Sequence, residues 1–121
     1  MCQEFEIESD VIPQIASGFA GGIGNTGAVC GAVAGAVMAI GLKQGRGKTV
    51  EEMLGNLAVA REFCRRFEAE MGEISCRELI GLDLTGEDVK QLMNSDIPQK
   101  VCFPAVGAAY RLVVELLRET E

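Results

Sequence analysis

The sequence predicts an all-α protein, a compact single-domain bundle of about four to six helices with a glycine-rich loop before a small-residue central helix. Three observations carry that expectation. Met53, Leu57, Ala60, Cys64, Phe67 and Met71 recur at spacings of four, three, four, three and four, the period of one helical stripe. Thr49-Val50-Glu51-Glu52 and Ser75-Cys76-Arg77-Glu78 are two capping boxes, in which a hydroxyl and a carboxylate satisfy the free amides of a first turn. Aromatic residues make up only 5% of the chain, beside 15 glycines, which suits helices meeting at small side chains rather than a sheet of large or β-branched ones. No strand pattern, internal repeat or linker interrupts the chain, so residues 1–121 read as one domain.

Taken in order, Ser9 or Asp10 caps a short helix over Val11–Ser17, with Pro13 tolerated in its first turn. The stretch from Gly18 to Gly27 follows, and its glycines imply either unusual backbone angles or the close approach of another group. Asn25 or Thr26 is the expected cap of a central helix from Gly27 to Lys43. Gly31, Gly35, Ala28, Ala32, Ala36 and Ala39 give that helix faces a partner helix can approach closely. Gly41, Gly45 and Gly47 end it, with Lys43 and Arg46 suiting its negative end. The capped helix from Thr49 runs to Gly72, and the one from Ser75 is stopped by Gly81. Leu82 to Asp96 reads as a loop with one helical segment around Glu87–Met93. The last helix reaches about Arg118, with Phe103, Val106, Tyr110, Val113 and Leu117 on one face.

Charge and composition exclude several functions. The formal charge of −7 disfavours a grip on phosphate backbones, so nucleic acid is not an expected partner. The apolar run from Ala28 to Leu42 falls short of the roughly 20 residues that span a bilayer, and no membrane insertion is expected. The acidic start lacks the basic and apolar regions of a signal peptide. Five cysteines without such a peptide point to a reducing, cytoplasmic setting, where thiols are redox-active or metal-bound more often than structural disulfides.

Cys76 follows the Ser75 cap, at the first helical position, where free amides and the positive dipole end favour a thiolate; Arg77 adds positive charge. Cys102 lies just before or within the start of the last helix, because Pro104 belongs in a first turn and Pro98 allows an earlier start. Cys30 comes four or five residues after its expected cap, so it depends on the glycine loop before it. The amides of that loop and the following turn, at Gly22, Gly24, Gly27 and Gly31, are the candidate binding groups for a cofactor. Cys64 sits mid-helix on the apolar stripe and reads as core packing. The bland alternative for the other three is also core packing.

The chain has no histidine. That removes Cys-His and Ser-His nucleophile pairs, histidine zinc ligands and any Cys-x-x-Cys-His haem site, so no haem is expected. No Cys-x-x-Cys pair occurs either, which leaves no support for a thioredoxin-like motif or a zinc ribbon. Gly22-Ile23-Gly24-Asn25-Thr26-Gly27 has the glycine spacing of the dinucleotide fingerprint, but a Pro-containing helical segment precedes it and no parallel strands follow.

Gly18-Phe19 with its following glycines, Cys30-Gly31-Ala32-Val33-Ala34-Gly35, Ser75 to Gly81, and Val101-Cys102 resemble the C_GCAxxG_C_C proteins. These are small redox-active proteins of bacteria and archaea, named for four cysteines and a Cys-Gly-Ala-x-x-Gly signature. The resemblance implies that Cys30, Cys76 and Cys102 are the second, third and fourth family cysteines, and that Cys64 has no counterpart. The family's first cysteine lies in an N-terminal helix well ahead of the Gly-Phe segment. Cys2 stands nearer to Gly18 than that, so the chain either lacks the helix or uses Cys2 as a loose substitute. The family is related to a module of some haem-carrying redox proteins.

The leading expectation is therefore a redox protein in which Cys30, Cys76 and Cys102 converge. They would hold an iron–sulphur cluster or another thiophilic metal, with the fourth ligand from water, substrate, Cys2 or a second chain, or cycle between thiol and disulfide. A redox partner protein and a homodimer are the expected partners. The alternative is a structural or interaction module, a homodimer through the small-residue helix, with inert buried cysteines.

Overall fold

The computed structural model describes residues 8–82 and 88–120. Helix α1 (Val11–Ala16) runs into a 3-10 turn (Ser17–Phe19) and a short helical segment, α2 (Ala20–Ile23). Then come α3 (Gly31–Gln44), α4 (Val50–Met71), α5 (Cys76–Ile80) and α6 (Asp88–Met93). A π-helical stretch (Pro98–Cys102) leads directly into α7 (Phe103–Glu119). Among the described residues there is no strand, only one isolated antiparallel bridge, between Val29 and Ser75. The all-helical expectation holds.

The three long helices, α3, α4 and α7, pack on one another. Helix α3 contributes Val33, Ala36, Ala39 and Ile40 to the core, and α7 contributes Ala105, Ala109, Leu112, Val113, Leu116 and Leu117. Ala36 and Ala39 of α3 face this core, while Gly31 and Gly35 of the same helix stay exposed. Phe63 and Phe67 of α4 fill the centre, fully buried, with ring centroids 5.9 Å apart. Each ring contributes about 1.5–3 kcal/mol by burial. Arg66 pairs with Glu119 at 2.7 Å and Arg111 pairs with Glu70, so two ion pairs bridge α4 and α7 at the surface.

The capping box of α4 forms with a shifted return arm. The Glu52 amide donates to Thr49 Oγ1 at 3.1 Å, while the Glu52 carboxylate accepts from the Lys48 amide at 2.6 Å. The second box does not close. Ser75 Oγ donates to the Gly27 carbonyl at 3.2 Å instead of capping α5. Gly81 ends α5 in the left-handed conformation, as expected.

Two helical faces keep part of their sequence-based assignments: Cys64, Phe67 and Met71 of α4 and Val113 and Leu117 of α7 pack in or against the core, and the other assigned residues do not. On α4 the core is made by Phe63 and Phe67, whereas Met53 and Leu57 stand largely exposed, bordering a cavity of about 210 Å³ against the end of α3. On α7 the buried face is Ala105, Ala108, Ala109, Leu112, Val113, Leu116 and Leu117. Phe103, Val106 and Tyr110 lie outside it, since the close α3–α7 contact selects alanine over the bulkier residues. Helix α3 begins at Gly31 rather than Gly27, because the residues before it are drawn into the bridge with Ser75.

Candidate functional site

The site is built around the Val29–Ser75 bridge. The Cys30 amide donates to the Ile74 carbonyl at 2.8 Å, the Cys76 amide to the Ala28 carbonyl at 2.6 Å, and the Arg77 amide to the Gly27 carbonyl at 3.0 Å. Each short extended segment then turns into a helix at its cysteine. Cys30 is the N-cap of α3, with φ −55° and ψ 133°, and its carbonyl accepts from the amides of Val33 and Ala34. Cys76 is the first residue of α5. One small hydrogen-bonded unit thus fixes two cysteines whose codons lie far apart.

The glycine loop supplies the wall beside them. Five consecutive residues have positive φ: Gly21 at 64°, Gly22 at 66°, Ile23 at 71°, Gly24 at 56° and Asn25 at 63°. Glycine adopts this left-handed turn freely, but β-branched Ile23 does so at a cost of about 1–2 kcal/mol. The turn is closed by amide donation from Gly24 to Gly18, Gly27 to Gly21 and Ala28 to Gly22. It seats Gly22 against Cys76, where a Cβ would come within 2.6 Å of the cysteine Cβ. Both sequence readings of the glycines, unusual angles and close approach, therefore apply at Gly22.

Cys102 enters from the other side. The chain is already helical at Ile97, and the Phe103 amide reaches back to the Pro98 carbonyl in the wider π pattern. Cys102 is thus the last residue of a π-helical stretch inside a continuous helix, and not at a free helix start. Such bulges shift the register of side chains and recur at functional sites.

Cys30, Cys76 and Cys102 line one cavity of about 290 Å³. Gly22 and Gly31 are on its wall, whereas Gly24 and Gly27 are not; the amides of those two glycines are spent within the loop. Leu79, Ile80, Leu92, Val101 and Ala105 complete an apolar lining, and among the described residues no charged side chain is part of it. Sequence periodicity did not nominate these wall residues, because α5, α6 and the π stretch are too short to carry a readable period. Cys64 is elsewhere, half-buried against the hydrophobic core, in agreement with its reading as packing. Cys2 lies outside the described residues.

The electrostatics differ from the local expectation. Burial raises the Cys76 thiol pKa, with Cys30 and Cys102 adding to the effect. Burial likewise raises that of Cys102, with Cys30 adding to it. Neither is the thiolate that a helix start suggests, since α5 is only five residues long and Cys102 sits past the first turn. Arg77 does not offset this: its guanidinium donates to the Thr26 carbonyl at 3.4 Å and its stem lies over Gly27. The fit of a metal follows from the donor set. Among the described residues no group of three Cys, Asp or Glu side chains could hold a metal ion.

No curated protein and no solved structure matches the chain. A family model does, one described as "Putative redox-active protein (C_GCAxxG_C_C)", over residues 1–116 of 121. The chain therefore belongs to the C_GCAxxG_C_C family.

Proposed function

We propose that this protein is a dithiol redox protein that gains and loses two electrons at the cavity shared by Cys30, Cys76 and Cys102. One observation supports the reading above all: three thiols from three separate segments line one cavity whose other described wall residues are apolar or glycine. Cys30 and Cys76 are the pair we assign to the disulfide. They lie diagonally across the Val29–Ser75 bridge, and diagonal neighbours of an antiparallel pair stand about 7–8 Å apart. A disulfide accepts Cα atoms at about 4.4–6.8 Å, so a small inward movement of one helix start closes the bond.

Oxidation breaks two S–H bonds, forms one S–S bond and releases two electrons and two protons to the acceptor. Cys30 has the nucleophile's position, at the positive end of the 14-residue helix α3. Burial holds Cys76 and Cys102 in the thiol form, which keeps idle oxidation slow. Cys102 is the third thiol, placed to exchange with a mixed disulfide. An iron–sulphur cluster on Cys30, Cys76 and Cys102 would need a fourth ligand, from water, substrate, Cys2 or a second chain.

The test is an anaerobic titration of the reduced protein with diamide, an azo compound that takes two electrons and two protons. The expected result is the loss of two thiols and two hydrogen masses, with the bond mapped among Cys30, Cys76 and Cys102 and with Cys64 unreacted. Iron and sulphide bound after anaerobic purification would replace this reading with the cluster. An unchanged thiol count without either would leave the cysteines as inert packing.

A second reading, self-association, is favoured by the exposed apolar residues Val50, Met53, Leu54 and Leu57 on α4. A homodimer on that face would cover them, and sedimentation equilibrium of wild type against Leu54→Lys tests it. A reducing compartment such as the cytoplasm suits the dithiol reading, with a redox partner protein as the electron source. Among the described residues no helix is long and apolar enough to cross a membrane.

A further inference from the structure

A second cavity, of about 280 Å³, lies along the seam between α3 and α7. Gly31, Ala32 and Val106 belong to both cavities, so the two adjoin. On α3 the seam is floored by the small residues Gly31 and Gly35, and α7 supplies Val106 and Tyr110 opposite. Val106 is 57% exposed and Tyr110 44%, so the seam opens to solvent beside them. Among the described residues neither this lining nor that of the thiol cavity carries a charged group.

This chemistry restricts what meets the thiols. Nicotinamide and flavin nucleotides carry phosphates, and glutathione disulfide carries carboxylates; each needs cationic partners that the described wall residues do not supply. An acceptor entering here sheds its water without losing ionic hydration only if it is uncharged and apolar. The two volumes together reach the size range of small-ligand pockets, about 300–1,000 Å³. A shallow floor of glycine and alanine facing Val106 and Tyr110 suits a flat ring.

We propose that the oxidant of the dithiol is a small, uncharged, apolar acceptor of the quinone class, entering along the α3–α7 seam past Val106 and Tyr110. The inference rests on the dithiol reading above. In the reaction Cys30 and Cys76 lose their S–H hydrogens and form one S–S bond. The quinone takes the two electrons into its ring and one proton on each carbonyl oxygen, leaving as the hydroquinone. No further reactant is needed.

The probe is tetramethyl-1,4-benzoquinone, whose fully substituted ring resists arylation by thiols. Reduced protein is mixed anaerobically with this quinone, with oxidised glutathione or with diamide, and disulfide formation is followed by intact mass. Oxidation by the quinone is expected to be at least tenfold faster than by glutathione disulfide at equal concentration. Two variants locate the entry. Gly35→Leu fills the seam from a position where an added Cβ meets nothing within 4 Å. Val106→Lys places a charge at the mouth. Each is expected to slow the quinone reaction at least tenfold while melting temperature is retained. In the Cys30→Ser, Cys76→Ser, Cys102→Ser variant, the quinone is expected to shift the amide resonances of Gly31, Gly35 and Tyr110 saturably. If diamide closes the disulfide but the quinone is no faster than glutathione disulfide, or both folded variants react like wild type, the quinone inference is overturned and the dithiol reading stands. If no oxidant closes a disulfide, both fall.

Discussion

Gly22 and Cys76 meet so closely that a Cβ added to the glycine would stand 2.6 Å from the cysteine Cβ. The contact couples the left-handed loop to the start of α5, and the position of the Cys76 thiol depends on it. Gly22 also has φ 66°, so a side chain there is opposed by the backbone as well as by the neighbour. Gly22→Ala is expected to destabilise the fold by more than the roughly 1–2 kcal/mol of the left-handed conformation alone. Gly35→Ala is the control, in open space within α3, and is expected to stabilise by about 0.5–1 kcal/mol. Urea midpoints of the two variants check the contrast.

Ile23 stores strain in the same turn. Its φ of 71° is unfavourable for a β-branched residue, and its side chain is largely exposed, so little packing compensates. Ile23→Gly is expected to raise stability by up to about 1 kcal/mol, the relief of strain less the entropy cost of glycine. A lower denaturation midpoint than wild type would show that the isoleucine is held there by packing.

Cys76 and Cys102 are expected to respond to their cysteine neighbour. Cys30 contributes to the raised pKa values of Cys76 and Cys102, second to burial. Removing that neighbouring charge lowers both, which enlarges their thiolate fractions at a given pH. Cys30→Ser is therefore expected to speed alkylation of Cys76 and Cys102 by iodoacetamide at pH 8–9, read by peptide mass. Cys64, raised by its own burial and then by Glu68, is expected to react at an unchanged rate.

Acid stability should follow Glu62. Hydrogen bonds from Arg65 and then Arg66 hold its carboxyl at about 2, below its ordinary 4.5. A depressed carboxylate stabilises the fold above its unfolded pKa, and that contribution is lost as pH falls through the folded value. The thermal midpoint is expected to fall between pH 4.5 and 2, and to fall less steeply in Glu62→Gln. The group is at the surface, so added salt should shrink the difference.

The core prediction is the largest. Phe63 and Phe67 are fully buried between α3 and α7, and Phe67→Ala is expected to cost about 3–5 kcal/mol. Met53→Ala, on the exposed half of the same helix, should change stability by less than about 0.5 kcal/mol. Equal losses at the two positions would mean that the first half of α4 is covered in solution.

Much of this molecule was determined by local chemistry that a sequence states outright. Thr49 and Glu52 mark the start of α4, Gly72 and Gly81 mark helix ends, and the 3.6-residue period between them needs no partner to be read. Those signals act over one or two turns. Tertiary structure alone decided which face each long helix buries, because the close α3–α7 contact admits Ala105 and Ala109 and turns Val106 and Tyr110 outward. It also decided the chemistry of the cysteines. Local rules place a thiolate at Cys76, but packing buries it, sends Ser75 Oγ to Gly27 and sends Arg77 to Thr26. The bridge that sets Cys30 beside Cys76 joins residues 46 positions apart, Val29 and Ser75. Hydrogen bonds over that distance leave no period in a sequence, and desolvation depends on what the rest of the chain places around a group.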